Sequence, residues 1–292
     1  MIALGTMTLS PQAAALELEV EALIWEPTGQ DVVLGSEAID PPFGNDLLNF
    51  GTDTGFGIGI GNPSAPLPWR VRYRDIGFKG DFAADHGAAS NFIAALDHPD
   101  NAYGTYRTIS ANGKIDLRIL DADMLIPINT GTSSTLKFFT GLRYVSYEDD
   151  LNANYDAGGQ IVTRKAENGL FGVRVGLEAK YPLGGGFSLG GHGAISMLMG
   201  ESSFSQTESF SGYQRNLDLD STVPAFEAGV RLNYDLALAA QRLELWVGYE
   251  LIQFDNVVSA QTFVDDTNDA AQIEQGVSAG FRGFTVGLVW TF

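Results

Sequence analysis

Charged side chains of one sign recur at every second position in two parts of the sequence. Arg70, Arg72 and Arg74 form one such series, and Glu17, Glu19 and Glu21 form the other. In an extended chain, residues two apart point to the same side, so each series places a row of like charge on one face. Facing rows of opposite sign can pair as salt bridges, or they can line a polar path for ions and small solutes.

More charges fall on the same face of other segments with this spacing. The basic ones are Lys114, Arg118, Lys137, Arg143, Arg174, Lys180 and Arg231, and the acidic ones are Asp116, Glu178, Glu227, Asp235, Glu244 and Glu250. We expect the side chains lining a polar interior to be Arg70, Arg72, Arg74, Arg118, Arg143, Arg174 and Arg231, facing Glu17, Glu19, Glu21, Glu178, Glu227 and Glu244. Because the two signs nearly balance there, the loops must carry most of the formal net charge of −19.

Enzymatic chemistry has little support in the sequence. The chain has no cysteine, which excludes disulfides, thiolate metal sites and cysteine nucleophiles. Among the histidines, His192 alone falls on a strand, and Ser188 and Ser196 are each four residues away on its face, roughly 13 Å at about 3.3 Å per residue. Since no nucleophile can be paired with a base, we expect no enzyme, no cofactor and no metal site.

From Leu16 onward, apolar and polar residues alternate with a period of two, which predicts β-strands. The segments are 16–25, 54–61, 69–82, 110–127, 135–148, 170–181, 187–199, 223–235, 243–253 and 283–292. They predict an all-β chain with about ten strands, eight and twelve being the alternatives. Within 114–126 the apolar face switches from Ile115, Leu117 and Ile119 to residues of the opposite parity, which predicts a β-bulge.

The connections between these segments alternate in length. Those at 61–68, 129–134, 183–186 and 236–241 are short, whereas those at 27–53, 83–109, 149–169, 200–222 and 255–279 are long. Short turns at one end and long loops at the other are typical of an outer-membrane up-and-down antiparallel barrel. Segment 83–109 could also hold a short helix or an additional hairpin around Phe92–Leu96.

Aromatic residues favour this barrel over a soluble β-sandwich, which would also alternate. On the apolar face they collect near the strand ends: Trp69, Tyr181, Phe187, Tyr234, Trp290 and Phe292 on the short-turn side, and Tyr144, Phe171, Phe226 and Phe284 on the loop side. Two aromatic girdles around an aliphatic band are expected at the two lipid–water interfaces. No stretch approaches the ~18 apolar residues of a transmembrane helix.

Residues 1–15 resemble the end of a secretory signal peptide. They contain a short apolar run and an Ala-x-Ala-like end but lack a basic beginning. We therefore expect a truncated signal peptide over 1–15 and one barrel domain over 16–292.

Several motifs resemble a known family. They are Phe139-Thr140-Gly141-Leu142-Arg143-Tyr144, the run 169–177, the run 181–189 and the run 223–228. The terminal strand 286–292 adds a signal that is common to many outer-membrane barrels. Together the first four motifs resemble the Legionella major outer membrane protein-like family of pore-forming proteins, over roughly residues 110–292. The resemblance implies a pore-forming β-barrel in the outer membrane of a Gram-negative bacterium, with no catalytic residues to transfer.

The expected function is a narrow porin-like channel for passive passage of ions or small solutes. The alternative is a closed structural or adhesive barrel that acts through its long acidic loops. The expected partners are outer-membrane lipid, lipopolysaccharide and the barrel-insertion machinery, which would recognise the strand ending at Phe292; a homo-oligomer is left open. The acidic balance, 17 Lys and Arg against 36 Asp and Glu, argues against nucleic acid.

Overall fold

The computed structural model describes residues 15–37, 45–87, 92–96, 105–131, 133–156, 159–210, 212–238, 241–257, 262–263, 272–273 and 277–292. The expected signal peptide lies almost wholly outside them. The strands are β1 Glu17–Thr28, β2 Val32–Glu37, β3 Asn45–Leu48, β4 Asp53–Asn62, β5 Trp69–Asp85, β6 Phe92–Ala94, β7 Thr105–Tyr106, β8 Thr108–Ile128, β9 Thr135–Tyr155, β10 Gln160–Gly184, β11 Phe187–Glu208, β12 Gln214–Leu238, β13 Gln241–Val257, β14 Thr262–Phe263, β15 Gln272–Ile273 and β16 Val277–Thr291. No helix among these residues is long and apolar enough to cross a membrane.

Ten of the strands close into a barrel, in the order β1-β16-β13-β12-β11-β10-β9-β8-β5-β4. Closure occurs at β1, where Glu17 pairs with Thr291 on one side and with Gly61 on the other. All neighbouring barrel strands are antiparallel. Because the barrel is closed, the wall has no free edge. The predicted fold class and strand number are confirmed.

The outer face carries an apolar band around the short-turn end of the barrel. Val20 is 55% exposed there and Val173 is 58% exposed. The next residue along each strand, Glu21 and Arg174 respectively, is buried inside the barrel. Both predicted girdles point outward: Tyr181, Phe187, Trp290 and Phe292 lie at one rim, and Tyr144, Phe171, Phe226 and Phe284 at the other. An apolar band between aromatic girdles is what a barrel surrounded by lipid requires.

Beyond the band the two faces exchange polarity. On β8 the outward residues become Lys114, Asp116 and Arg118, and the inward residues become Ile115, Leu117 and Ile119. The register of β8 with both neighbours is continuous over 109–124. The predicted β-bulge is therefore wrong, because the strand keeps its phase while its surroundings change from lipid to water.

The wall extends far past the band at the long-loop end. β9 runs to Tyr155 and β10 starts at Gln160, while β11 runs to Glu208 and β12 starts at Gln214. The predicted long loops 149–169 and 200–222 are therefore mostly strand. The short connections are confirmed where they are described, including Gly184–Gly186, whose positive φ values of 95°, 61° and 86° favour glycine.

Apolar side chains fill the interior of this extended part. The Phe281 ring on β16 lies 5.4 Å from Phe78 of β5, 6.3 Å from Tyr147 of β9 and 6.4 Å from Phe254 of β13, measured between ring centroids. Neither β5 nor β9 neighbours β16 in the wall, so these contacts bridge the barrel. We call this region the apolar interior.

A small sheet, which we call the inner cap, packs on the apolar interior. Its order is β3-β2-β6-β7, so the segment 83–109 does contribute an additional hairpin. Leu34, Leu48 and Tyr106 are fully buried. The Tyr155 hydroxyl donates to the Leu34 carbonyl at 2.6 Å, which ties the cap to the wall.

The wall provides a seat for the cap at two paired glycines, Gly80 and Gly113. A Cβ on Gly80 would lie 2.7 Å from the Asn49 carbonyl oxygen, and one on Gly113 would lie 2.7 Å from the Phe50 ring. Side chains at these positions would therefore displace segment 45–50.

We expect Gly80→Ala to loosen segment 45–50 while the barrel remains closed. Amide hydrogen exchange of that segment, followed by mass spectrometry in detergent, should become faster. Gly51→Ala is the control, because a Cβ there meets nothing within 4 Å. Unchanged exchange in Gly80→Ala would contradict the seat.

Asp149 was expected in an acidic loop but lies on β9 beyond the apolar band, on the inward face. Burial raises the pKa of its carboxyl to about 6, although the nearby Arg164 lowers it. Because the folded protein holds this proton more tightly than the unfolded chain, the carboxyl of Asp149 favours folding most below about pH 4, and this effect is lost as the pH rises through 6.

We expect Asp149→Asn to stabilise the protein by about 2–3 kcal/mol at pH 8, and to flatten the pH dependence of unfolding between about pH 4 and 6. Urea unfolding in detergent micelles at several pH values measures both effects. Equal stability of the variant and the original protein at pH 8 would show that this carboxyl is not buried as charge.

Candidate functional site

Charged side chains fill the interior of the barrel at the level of the apolar band. Of the predicted interior residues, the structure places Arg70, Arg72, Arg74, Arg143, Arg174, Arg231, Glu17, Glu19, Glu21, Glu178, Glu227 and Glu244 inside. The predicted interior position of Arg118 is wrong, because its side chain is 43% exposed on the outside, near Asp75 and Glu148. Lys114 and Asp116 are likewise outside, since they lie beyond the exchange of polarity on β8.

Two arginines and two carboxylates form the centre of this interior. Arg143 contacts Asp121 at 2.7 Å and Glu227 at 2.5 Å. Arg174 contacts the same two carboxylates at 2.6 and 3.3 Å. All four side chains are at most 3% exposed, so this group is almost wholly removed from water.

Further pairs extend the group across the barrel. Arg74 binds Glu21 at 2.5 Å and Glu250 at 2.9 Å, and Arg72 lies 3.6 Å from Glu227. We call the whole set the charged belt; its members are Arg72, Arg74, Arg143, Arg174, Glu21, Asp121, Glu227 and Glu250. Four positive charges face four negative ones in this set. Asp123 also contacts Arg174 at 3.2 Å and is shared with Arg70 at 3.4 Å, which adds one charge of each sign. Such a balance is required where uncompensated charge is very unfavourable.

The guanidinium groups of two belt arginines lie over aromatic rings. The guanidinium carbon of Arg174 lies 4.9 Å from the centroid of Phe139, and that of Arg74 lies 5.5 Å from Trp25. Trp25 in turn donates to Thr285 at 3.1 Å. The belt is therefore fixed by packing as well as by charge.

At its short-turn end the barrel encloses a cavity. The cavity has a volume of about 200 Å³ and is lined by Glu17, Glu19, Gly59, Gly61, Arg70, Lys137, Glu178, Lys180, Arg231, Arg242 and Glu244. Within the belt the void shrinks to about 10 Å³, beside His192 and Glu227. We call the larger cavity the vestibule; the belt and the apolar interior separate it from the other end.

Asp121, Asp123 and Arg242 were missed as interior residues. The expected bulge put Lys114, Asp116 and Arg118 on the wrong face, whereas Asp121 and Asp123 lie on the polar face of the following residues and were not included in the expected interior set. The available signal was the register counted from the short turn at 129–134, which sets Asp121 opposite Arg143. Asp121 also pairs with Arg72 on the other neighbouring strand.

His192 faces the interior but takes part in no serine–histidine pair. Its Nε2 lies 3.1 Å from Glu227 Oε1. Ser188 instead accepts a bond at 3.3 Å from Asn233. Across the described residues, no group of three or more His, Asp or Glu side chains could hold a metal ion.

We expect Glu227→Gln to destabilise the protein by about 3–5 kcal/mol, since it leaves Arg143 and Arg174 buried with too little negative charge. Urea unfolding in detergent measures the loss. Glu201→Gln, on the exposed outer face of β11, should change stability by less than about 0.5 kcal/mol. Similar losses in both variants would contradict the belt.

Comparison with solved structures supports the architecture. The outer membrane protease OmpT from Escherichia coli is similar with a TM-score of 0.55 and 12% identity, over 99% of this chain and 100% of that chain. A major outer membrane protein from Thermus thermophilus gives 0.42 and 14%, over 96% and 100%. At such identities the first likeness shows a shared fold alone, and the second is too weak to carry an argument.

No curated protein matches the sequence. The family model described as Legionella pneumophila major outer membrane protein precursor, however, matches residues 82–292, which is well over half of the chain. That match agrees with the resemblance of the motifs and with the lipid-facing band. The chain therefore belongs to the family of the Legionella major outer membrane protein and is a β-barrel of the cell outer membrane.

Proposed function

We propose that this protein is a pore for passive passage of ions or small solutes across the outer membrane, and that the pore is shut in the conformation described. The observation that carries the proposal is the polarity of the interior at the level of the bilayer. There the chain places Arg143, Arg174 and their partners, whereas it fills the adjoining part of the same barrel with apolar side chains.

Filling the barrel does not require charges. Replacing buried ion pairs by well-packed apolar residues is often neutral or stabilising. The apolar interior demonstrates that this wall can be packed in that way. A charged belt that opens directly into a polar vestibule is therefore better explained as part of a polar path than as filling.

Two layers block this path. The first is the charged belt, in which each arginine would have to leave at least one carboxylate. The second is the apolar interior with the inner cap, where Leu48 and Phe50 lie over Gly80 and Gly113. Opening requires the cap to leave and the ion pairs to rearrange, so the solutes are expected to be small.

The second candidate is a closed structural or adhesive barrel. It is favoured by the continuous apolar contacts around Phe281 and by the hydrophilic outer face of the long strands, which includes Lys165 and Glu167. We propose no enzymatic role under either candidate, because His192 has Glu227 as its partner and, among the described residues, no hydrogen bond joins it to a serine or threonine hydroxyl.

Single-channel recording in planar bilayers tests the two candidates. The decisive variant replaces 45–50 by a glycine–serine linker of equal length, which removes Leu48 and Phe50 from their seat. We expect rare openings of the original protein and at least about tenfold more frequent openings of the variant. The control is the same replacement of 63–68 at the short-turn end, which should behave like the original.

A variant that folds, as shown by heat-modifiable migration in gels, but stays silent would contradict the pore and favour the closed barrel. Equally frequent openings in the control would contradict the cap as the barrier.

A further inference from the structure

Positive charge accumulates on one side of the vestibule. Arg70, Lys137 and Arg231 all surround Glu178, at 3.1, 3.6 and 3.7 Å. Arg70 also reaches Asp123 at 3.4 Å. One carboxylate is thus shared among three cations, and Lys137 and Arg231 are held only by long contacts. This cationic group can still bind an anion.

Negative charge accumulates on the β1 side. Glu19 is 8% exposed, and it lines the vestibule. Among the described residues, neither an ion pair nor a hydrogen bond reaches its carboxylate. Glu17, two residues along on the same face, accepts only a long bond from Thr291 at 3.4 Å. A buried carboxylate with no direct partner is unfavourable, and Arg70 acts on Glu19 only as a charge beyond 4 Å. A bound cation would relieve this carboxylate.

The remaining charges of the vestibule satisfy one another. Lys180 binds Asp235 at 3.1 Å and Glu244 at 2.6 Å, and Arg242 binds Asp235 at 2.6 Å. The groups without a close direct partner are therefore carboxylates on β1 and the cations Lys137 on β9 and Arg231 on β12.

We propose that the vestibule binds a small zwitterion, such as an amino acid, with its ammonium group at Glu17 and Glu19 and its carboxylate at Lys137 and Arg231. The cavity of about 200 Å³ fits such a molecule, since it lies below the ~300–1,000 Å³ of pockets for larger ligands. Gly59 lets the Glu19 side chain lie close against β4 at the cavity wall, because a Cβ there would lie 3.2 Å from the glutamate.

Both charges of the ligand are needed for this fit. A cation alone would leave the cationic group around Glu178 unsatisfied, and an anion alone would leave Glu19 without a partner. The site opens at the short-turn end, which faces the periplasm in outer-membrane barrels. It does not rest on the proposed pore, because a permanently closed barrel would bind the same ligand.

Ligand-observed NMR titration of the refolded protein in non-ionic detergent tests the site. The probes are linear amino acids from glycine to 6-aminohexanoate, with butyrate and butylammonium as single-charge analogues. We expect one chain length to bind best, and both analogues to bind at least about tenfold more weakly. Equal binding of butylammonium, or no binding of any amino acid, would overturn the proposal.

Two substitutions assign the contacts. Glu19→Gln should weaken binding of the best amino acid about tenfold while butyrate binding stays unchanged. Lys137→Gln should weaken it similarly, and this partly exposed residue serves if Glu19→Gln does not fold. Glu201→Gln on the outer face is the matched control. Unaltered affinity in a folded Glu19→Gln protein would overturn the site.

Discussion

A single wall of alternating side chains must satisfy two different surroundings along its length. In the bilayer the outward residues must be apolar, so the polar residues of each strand turn inward. Beyond the bilayer the outward residues meet water, and the apolar ones turn inward to form an ordinary hydrophobic core. The exchange occurs without a change of register, as the sequence of Arg118, Ile119, Leu120 and Asp121 on β8 shows.

This constraint permits two interior layers of opposite character, although it does not by itself require the layer inside the bilayer-spanning wall to be charged. The charges inside the barrel at the level of the bilayer are removed from bulk water, so Arg143 and Arg174 are neutralised by Asp121 and Glu227. Farther out, the rings around Phe281 join opposite walls. Each layer is compatible with its own stretch of wall, and the vestibule lies on the short-turn side of both. Any transport must therefore involve rearrangement of both layers.

Period-two alternation was sufficient to predict the ten barrel strands and most of the inward arginines, because a pleated strand fixes which residues share a face. It could not show which solvent each face meets. Arg118 was misplaced for that reason, together with Lys114 and Asp116. The sequence predicts loops for the hydrophilic parts of β9–β12, because water-facing strand residues resemble loop residues in composition. The ion pairs between distant strands, such as Arg74 with Glu250, depend on closure of the barrel.

The absence of native cysteine makes one measurement especially direct. Single cysteines at 116, 117, 118 and 119 on β8 can be treated with a membrane-impermeant maleimide on intact cells. An unbroken strand with an apolar interior predicts rapid labelling of positions 116 and 118 and protection of 117 and 119. Comparable labelling of 117 and 119 would contradict the exchange of polarity and the closed interior together.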